Sequence, residues 1–266
     1  MSKLDQISIY PIKSCAGIDL SASEVLSRGF PLDRRWLLID EAGQFVSQRT
    51  TARLGQIKLS QENNHLIVNY PEQDPLHLDL DVPDGIRRKA KIWHDSVDGV
   101  WVNQASDDWF SHVLEQQVHL IHMNADVHRP LIKDHLPQDR TFEVSFADGY
   151  PYLLANQASL NDLNSRLETP VPMDRFRANM VVSGFEAFAE DDWKKVRIGE
   201  VEFLVVKPCA RCQVTTIDQK TGAASKEPLK TLATYRKQDG KVMFGMNLVA
   251  LGTGSLHLND PILIVE

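Results

Sequence analysis

The feature that most restricts this chain is the rhythm of its first hundred residues, where short alternating apolar runs are separated by tight turn signals. Ile7-Ser8-Ile9-Tyr10 alternates before Pro11, and Trp36-Leu37-Leu38-Ile39-Asp40 leads through Glu41-Ala42-Gly43-Gln44 into Phe45-Val46-Ser47, which predicts a hairpin. Residues 55–60 and 65–70 flank Gln61-Glu62-Asn63-Asn64 as a second hairpin, and Leu76-His77-Leu78-Asp79-Leu80 alternates strictly. Residues 90–93 and 99–102 flank a further turn at 94–98. Strands this short and this closely spaced predict a barrel or sandwich, not a parallel sheet. Helical period is only local. Ser106-Asp107-Asp108 reads as an N-cap followed by Trp109, Val113 and Leu114 on one face, and Leu160, Leu163 and Leu167 repeat that spacing. Pro228 opens a third helix carrying Leu229, Leu232 and Tyr235, and residues 241–251 and 261–265 return to strand. The expected class is mainly β (α+β) with a few short helices.

The stretch 128–140 is polar, holds Pro130 and Pro137 and lacks periodicity, so we place a domain boundary there, giving units 1–127 and 128–266. Lys and Arg total 29 against 36 Asp and Glu, a net charge of −7, which argues against nucleic-acid or anionic-membrane partners because a phosphate footprint needs a basic face. It leaves room for one small basic pocket. The longest apolar runs, near 179–182 and 201–206, fall far short of the ~20 residues that span a bilayer. The N-terminus has no apolar signal core, and three cysteines make no disulfide framework, so a reducing, cytoplasmic setting is expected.

The sequence has no glycine-rich phosphate loop, zinc-protease or nucleophile-elbow motif. His119 and His122 sit three apart on a predicted strand, hence on opposite faces, and read as satisfied or solvated histidines, not joint ligands. Cys209-Ala210-Arg211-Cys212 is the most unusual segment. It lacks the second pair that a zinc site requires, and the β-branched Val214, Thr215, Thr216 and Ile217 predict a strand where a thioredoxin-type pair would precede a helix. What remains is a thiolate at a loop–strand junction near Arg211 and Lys207, or simply two buried free cysteines. Lys13-Ser14, Asp33-Arg34-Arg35-Trp36 and Phe176-Arg177-Ala178-Asn179 could together hold a phosphorylated anionic cofactor, although singly each is ordinary surface chemistry. Alternation into residues 180–182 aims Arg177 and Asn179 at one face.

In this order, Ile9-Tyr10-Pro11-Ile12-Lys13-Ser14, Asp33-Arg34-Arg35-Trp36, Phe176-Arg177-Ala178-Asn179 and Cys209-Ala210-Arg211-Cys212 resemble the MOSC family. The likeness is greatest to the bacterial MOSC reductases of N-hydroxylated bases and the mitochondrial amidoxime-reducing component. Residues 145–151 and 227–232 extend it over nearly the whole chain. The resemblance implies an N-terminal MOSC β-barrel packed on a β-barrel MOSC domain, and a molybdenum cofactor, a pterin dithiolene with a terminal phosphate. It implies Cys212 as the molybdenum ligand, with Lys13, Ser14, Arg34, Arg177 and Asn179 gripping the pterin and phosphate. Asp148 matches a catalytic carboxylate beside the metal, positioning substrate or moving a proton, and Cys209 is left as a small core residue. Ala178 stands where the family often has proline, which keeps both polar side chains.

The implied activity is reduction of N–OH to N–H plus water. The chain lacks the cysteine cluster of the ferredoxin-like domain that bacterial relatives often append, so electrons are expected from a separate donor of the flavin-reductase or ferredoxin type. A second reading makes the protein a sulfur or molybdenum-cofactor carrier that uses Cys212. A family-level association with pyridoxal phosphate finds no lysine site here beyond the isolated Lys207. Either main reading requires Cys212 to lie open beside Lys13, Arg34 and Arg177.

Overall fold

Alternation and turn chemistry set the strands of the N-terminal half. In the computed structural model, which describes residues 1–133 and 136–266, Lys58–Glu62 and His65–Asn69 pair antiparallel with Glu62 opposite His65. Asn63 takes the left-handed conformation (φ 51°) that such a two-residue turn needs. Leu76–Asp79 completes a three-stranded sheet. A four-stranded sheet runs Trp36–Ile39, His119–His122, Asp95–Trp101, Arg87–Ile92. Leu38, Leu66, Val68, Phe110 and Leu120 close one apolar cluster between these sheets and the helix Gln104–Leu114. Each such buried side chain contributes roughly 1.5–3 kcal/mol.

The larger sheet has nine strands among the described residues. Its main path is Ile262–Ile264, Lys195–Ile198, Val201–Ala210, Lys241–Ala250, Tyr152–Asn156, Met180–Ser183, Lys3–Ile9, Ile18–Leu20. The first strand of the chain is thus built beside strands from its second half. Tyr152–Asn156 and Met180–Ser183 are parallel, and the helix Gln157–Ser165 lies in the connection between them, as a parallel pair requires. Leu4, Ile7, Ile9, Val182, Phe203 and Leu248 fill the core of this sheet. The mainly β class is as expected, while the ladders run as open sheets with no closed barrel among the described residues.

Four local expectations change. The first helix starts at Gln104 and is capped by Asn103, whose Oδ1 accepts Ser106 N–H (2.8 Å). Asp107 lies in the first turn and is fully buried, accepting Trp101 Nε1–H (2.8 Å) and Leu120 N–H (2.8 Å) and pairing with His119 (2.6 Å). The hairpin turn expected at 94–98 is only Trp93-His94, with Ile92 opposite Asp95, because Val97 turns inward and keeps 95–101 in strand. The third helix is one turn, Leu229–Leu232, since Lys237–Gln238 already pairs with the strand edge. The strand expected at 214–217 is a 3-10 turn, Gln213–Thr216. Thr215 Oγ1 donates to Cys212 O (3.0 Å) and Thr216 Oγ1 to Gln213 O (2.7 Å), local bonds that outweigh β-branched preference. Of the stretch 128–140, Asp134 and His135 lie outside the described residues.

Candidate active site

One cleft gathers Lys13, Ser14, Arg34, Asp148, Arg177, Asn179 and Cys212, all seven residues expected at the site, from five separated segments. Its lining carries Lys13, Arg34, Arg49, Arg177 and Arg211 against a single carboxylate, Asp148, in a chain of net charge −7. That concentration of cations marks a place for an anion.

Ser14 (φ 74°), Arg34 (φ 50°) and Arg177 (φ 54°) all adopt the left-handed backbone that non-glycine residues avoid. Such conformations persist where surrounding bonds over-determine them. Here the bonds are visible. Arg34 Nη1 donates to both Asp33 carboxylate oxygens (2.8 and 2.6 Å) and to Asn179 Oδ1 (3.1 Å), and its Nη2 donates to Arg177 O (3.2 Å). Asp33, 1% exposed, also accepts the Tyr10 N–H (2.8 Å). Arg177 Nη1 donates to Cys15 O (2.7 Å), and the Arg34 and Arg177 guanidiniums lie 4.4 and 4.2 Å from the Tyr10 ring centre. Burial pulls Arg177 down to about 10 and pushes Tyr10 up to about 12, although both guanidiniums oppose the latter. Ser14 is tied from behind: Gln48 Nε2 donates to its carbonyl (2.6 Å), while Gln48 and Gln219 exchange reciprocal amide bonds (2.8 and 3.0 Å) in the interior. Cys15 is buried, and burial lifts its thiol to about 12, which leaves it inert.

Asn179 reaches the cleft wall, but its side chain is consumed inside. Nδ2 donates to Ser8 O (3.1 Å), and Oδ1 accepts from Arg34 and from Leu153 N–H (3.2 Å). It braces Arg34. Alternation does not explain the placement, since Arg177 ends a 3-10 turn before the strand begins at Met180.

The cysteine segment leaves the long strand Val201–Ala210 after register shifts at Val205/Lys207 and Pro208/Ala210, irregularities that bend a strand and re-aim its side chains. Facing them, Gly245 (φ 74°) lies where a Cβ would meet Leu154 O at 2.7 Å, so only glycine fits. Cys212 then occupies the cap of the 3-10 turn and is exposed. Cys209 is not a core residue: the bend turns it to the cleft wall, half-buried, where its sulfur accepts from Arg211 Nη1 (3.0 Å). Arg211 Nη2 reaches Phe176 O, and its buried Nε has no partner among the described residues. An unsatisfied buried guanidinium N–H on the wall, an open thiol and an excess of cations fit a phosphorylated dithiolene cofactor. Lys207 stands apart, its ammonium over the Tyr150 ring (5.2 Å).

Lys13 Nζ donates to Phe146 O (2.7 Å) and to Asp148 Oδ1 (2.5 Å). Desolvation lowers the Lys13 pKa against the pull of Asp148. The Asp148 side chain keeps 56% exposure at the mouth. Partial desolvation there opposes ionisation, but Lys13, Arg49 and a bond from Trp93 Nε1 (3.2 Å) hold its pKa well below the ordinary carboxylate range. Arg129, buried, fixes this segment by donating to Ser145 O (2.9 Å) and Ala147 O (2.5 Å) while pairing with Asp95.

Sequence reasoning missed Arg49, Trp93 and Arg129. Trp93, 54% exposed with φ 57°, projects from the hairpin tip and meets Phe45 edge to face (5.5 Å), and the Arg49 guanidinium lies against both rings (4.5 and 5.2 Å). The available signal was a tryptophan in a turn. His119 and His122 are satisfied by Asp107 and Asn124, and no cluster of three or more His, Cys, Asp or Glu side chains placed to hold a metal ion occurs among the described residues.

Residues 1–117 match the MOSC N-terminal beta barrel domain and residues 141–263 the MOSC domain. The chain is 36% identical to mitochondrial amidoxime-reducing component 1 of Danio rerio, over 97% of this chain and 83% of that one. It is 35% identical to the human mitochondrial amidoxime reducing component 2, over 96% and 81%. A solved structure of the YUAD protein from Bacillus subtilis is 12% identical, with a TM-score of 0.46, over 98% of this chain and 94% of that one. With both domains matched in order and such relatives along nearly its full length, the chain belongs to the MOSC family that includes the mitochondrial amidoxime-reducing components.

Proposed function

We propose that the protein is a molybdenum-cofactor-dependent oxidoreductase that reduces N-hydroxylated compounds with electrons from a separate flavin-reductase or ferredoxin-type donor. The observation that carries this reading is the open Cys212 thiol in a cleft lined by five cations and one carboxylate. The names of the relatives supply the substrate class. The reaction balances as R–NH–OH plus two electrons and two protons giving R–NH2 and water.

When bound, the cofactor supplies the two-electron chemistry, and the protein supplies ligation, charge and position. Cys212 Sγ is the sulfur ligand. Lys13, Arg34 and Arg177 would hold the phosphate and pterin with Arg211 on the same wall, while Ser14 would offer its hydroxyl and Asn179 keeps Arg34 aimed. Asp148 stays ionised and so acts as an acceptor: it orients an N–H of the substrate, and the protons come from water at the open mouth. Trp93 supplies an aromatic edge beside that carboxylate.

The test is Cys212→Ser and Cys209→Ser in protein produced with cofactor, assayed for molybdenum content and for reduction of an N-hydroxylated amidine. Cys212→Ser should lose more than 100-fold in turnover, a transition-state loss of about 3 kcal/mol. Cys209→Ser should lose less than tenfold. Equal activity of the two variants would remove Cys212 as the ligand. Persulfide on Cys212 with no reduction under any donor would instead favour the carrier reading.

A further inference from the structure

Arg34 and Arg35 are adjacent in sequence and diverge in space. Arg34 turns into the cationic cleft, and Arg35 lines a second cleft of about 550 Å³. That volume lies within the range of small-molecule sites, roughly 300–1,000 Å³. Its walls are mostly apolar, with Leu26, Pro31, Leu32, Leu80 and Met123 prominent.

Two cations stand in this cleft, and their situations differ. Arg28 is saturated by Glu143 (3.0 and 2.6 Å), by Val127 O (3.0 Å) and by the His128 ring (3.4 Å). The Arg35 guanidinium makes no hydrogen bond or ion pair with any described residue, although it is more than half buried. Desolvation and the Arg28 charge pull it down to about 10 against the longer-range attraction of Asp33 and Glu143, so it remains charged at neutral pH. His122, on the same wall, is held neutral with a pKa near 4 by burial, despite its Asn124 bond. It adds no second positive charge. A half-desolvated guanidinium with no carboxylate in direct contact among the described residues, and only the longer-range pull of Asp33 and Glu143, is costly, and an anion seated on it would offset that cost.

We propose that this cleft binds a small organic carboxylate, with its head on Arg35 and its apolar body against Leu26, Pro31, Leu32, Leu80 and Met123. The planar guanidinium matches a carboxylate through paired N–H bonds. One free cation among apolar walls suits a monoanion with a hydrocarbon tail. A phosphate dianion would need further donors, and those of Arg28 are already taken.

Calorimetric titration of the full chain with octanoate tests this, with octanol as tail without charge and acetate and inorganic phosphate as charge without tail. Octanoate should saturate at submillimolar concentration, with octanol at least tenfold weaker and the two small anions silent. Arg35→Gln should weaken octanoate at least tenfold, with circular dichroism and melting temperature showing the fold intact. Ala125→Trp, at an exposed position of the cleft, should also abolish binding by filling it while leaving Arg35 in place. The proposal is overturned if octanoate fails to saturate by 5 mM, if both variants bind it as the parent does, or if phosphate competes equally.

Discussion

Replacing Asp33 tests whether the cationic cleft is prebuilt by a buried charge hub. Asp33 is 1% exposed, and its carboxylate accepts the Tyr10 amide and both contacts from Arg34 Nη1. Asp33→Ala strands a buried backbone N–H, costing about 1–3 kcal/mol, and leaves Arg34 with only Asn179 Oδ1 and Arg177 O. Breaking a buried ion pair from one side costs about 3–5 kcal/mol, so we expect a total near 4 kcal/mol. That is a large part of a typical stability of about 5–15 kcal/mol. With a urea slope of about 3 kcal/mol/M, the unfolding midpoint should fall by roughly 1.3 M. Arg34→Ala leaves Asp33 buried and charged, so it should also be costly. The double variant should then be about 2 kcal/mol less destabilised than the sum. A cycle of urea titrations on the cofactor-free protein measures this coupling. Additivity within about 0.5 kcal/mol would refute the hub, since that is how independent sites behave.

Three further outcomes are expected. Because Asp148 is held ionised, its contribution to stability is present above the ordinary carboxyl pKa of about 3.9 and is lost only as pH falls through its lower folded value. Asp148→Asn should therefore lower activity by the same factor at pH 6 and pH 8, and a pH-dependent ratio of parent to variant would contradict it. Trp93→Ala should raise KM roughly fivefold to tenfold for planar aromatic substrates, as one lost ring contact of about 1–1.5 kcal/mol implies, with kcat unchanged in steady-state assays. Gln48→Ala opens the Ser14 carbonyl and the Gln219 amide, so urea titration should show a loss of about 2–3 kcal/mol and amide exchange should quicken around Ser14.

The hairpin at 58–69 was legible in its two alternating runs, but its turn is only Asn63-Asn64: Gln61 and Glu62, read as turn residues, pair with Leu66 and His65, and the chain before Lys58 is a 3-10 turn instead of strand. That Lys13, Ser14, Arg34, Asp148, Arg177, Asn179 and Cys212 share one cleft was legible from the resemblance, which named them together. Their geometry was not. No local pattern predicts a left-handed backbone at Ser14, Arg34 and Arg177, because bonds from residues more than 100 positions away enforce it for Arg34 and Arg177. Thr215-Thr216 misled for a related reason: their side chains fold back on the preceding carbonyls, a choice that intrinsic strand preference does not contain. Cys209 was misplaced because two one-residue register shifts, either side of Lys207-Pro208, decide which way it points, and one residue of slip turns a strand side chain to the other face.

The left-handed arches at Ser14, Arg34 and Arg177 set protein hardness against usefulness. Each of these side chains bends the backbone at a penalty of roughly 1–2 kcal/mol that glycine avoids. A library screened only for heat resistance would be drawn toward glycine at the three positions. Its winners would melt later as empty shells, having discarded the side chains that give the cleft its charge and its hydroxyl.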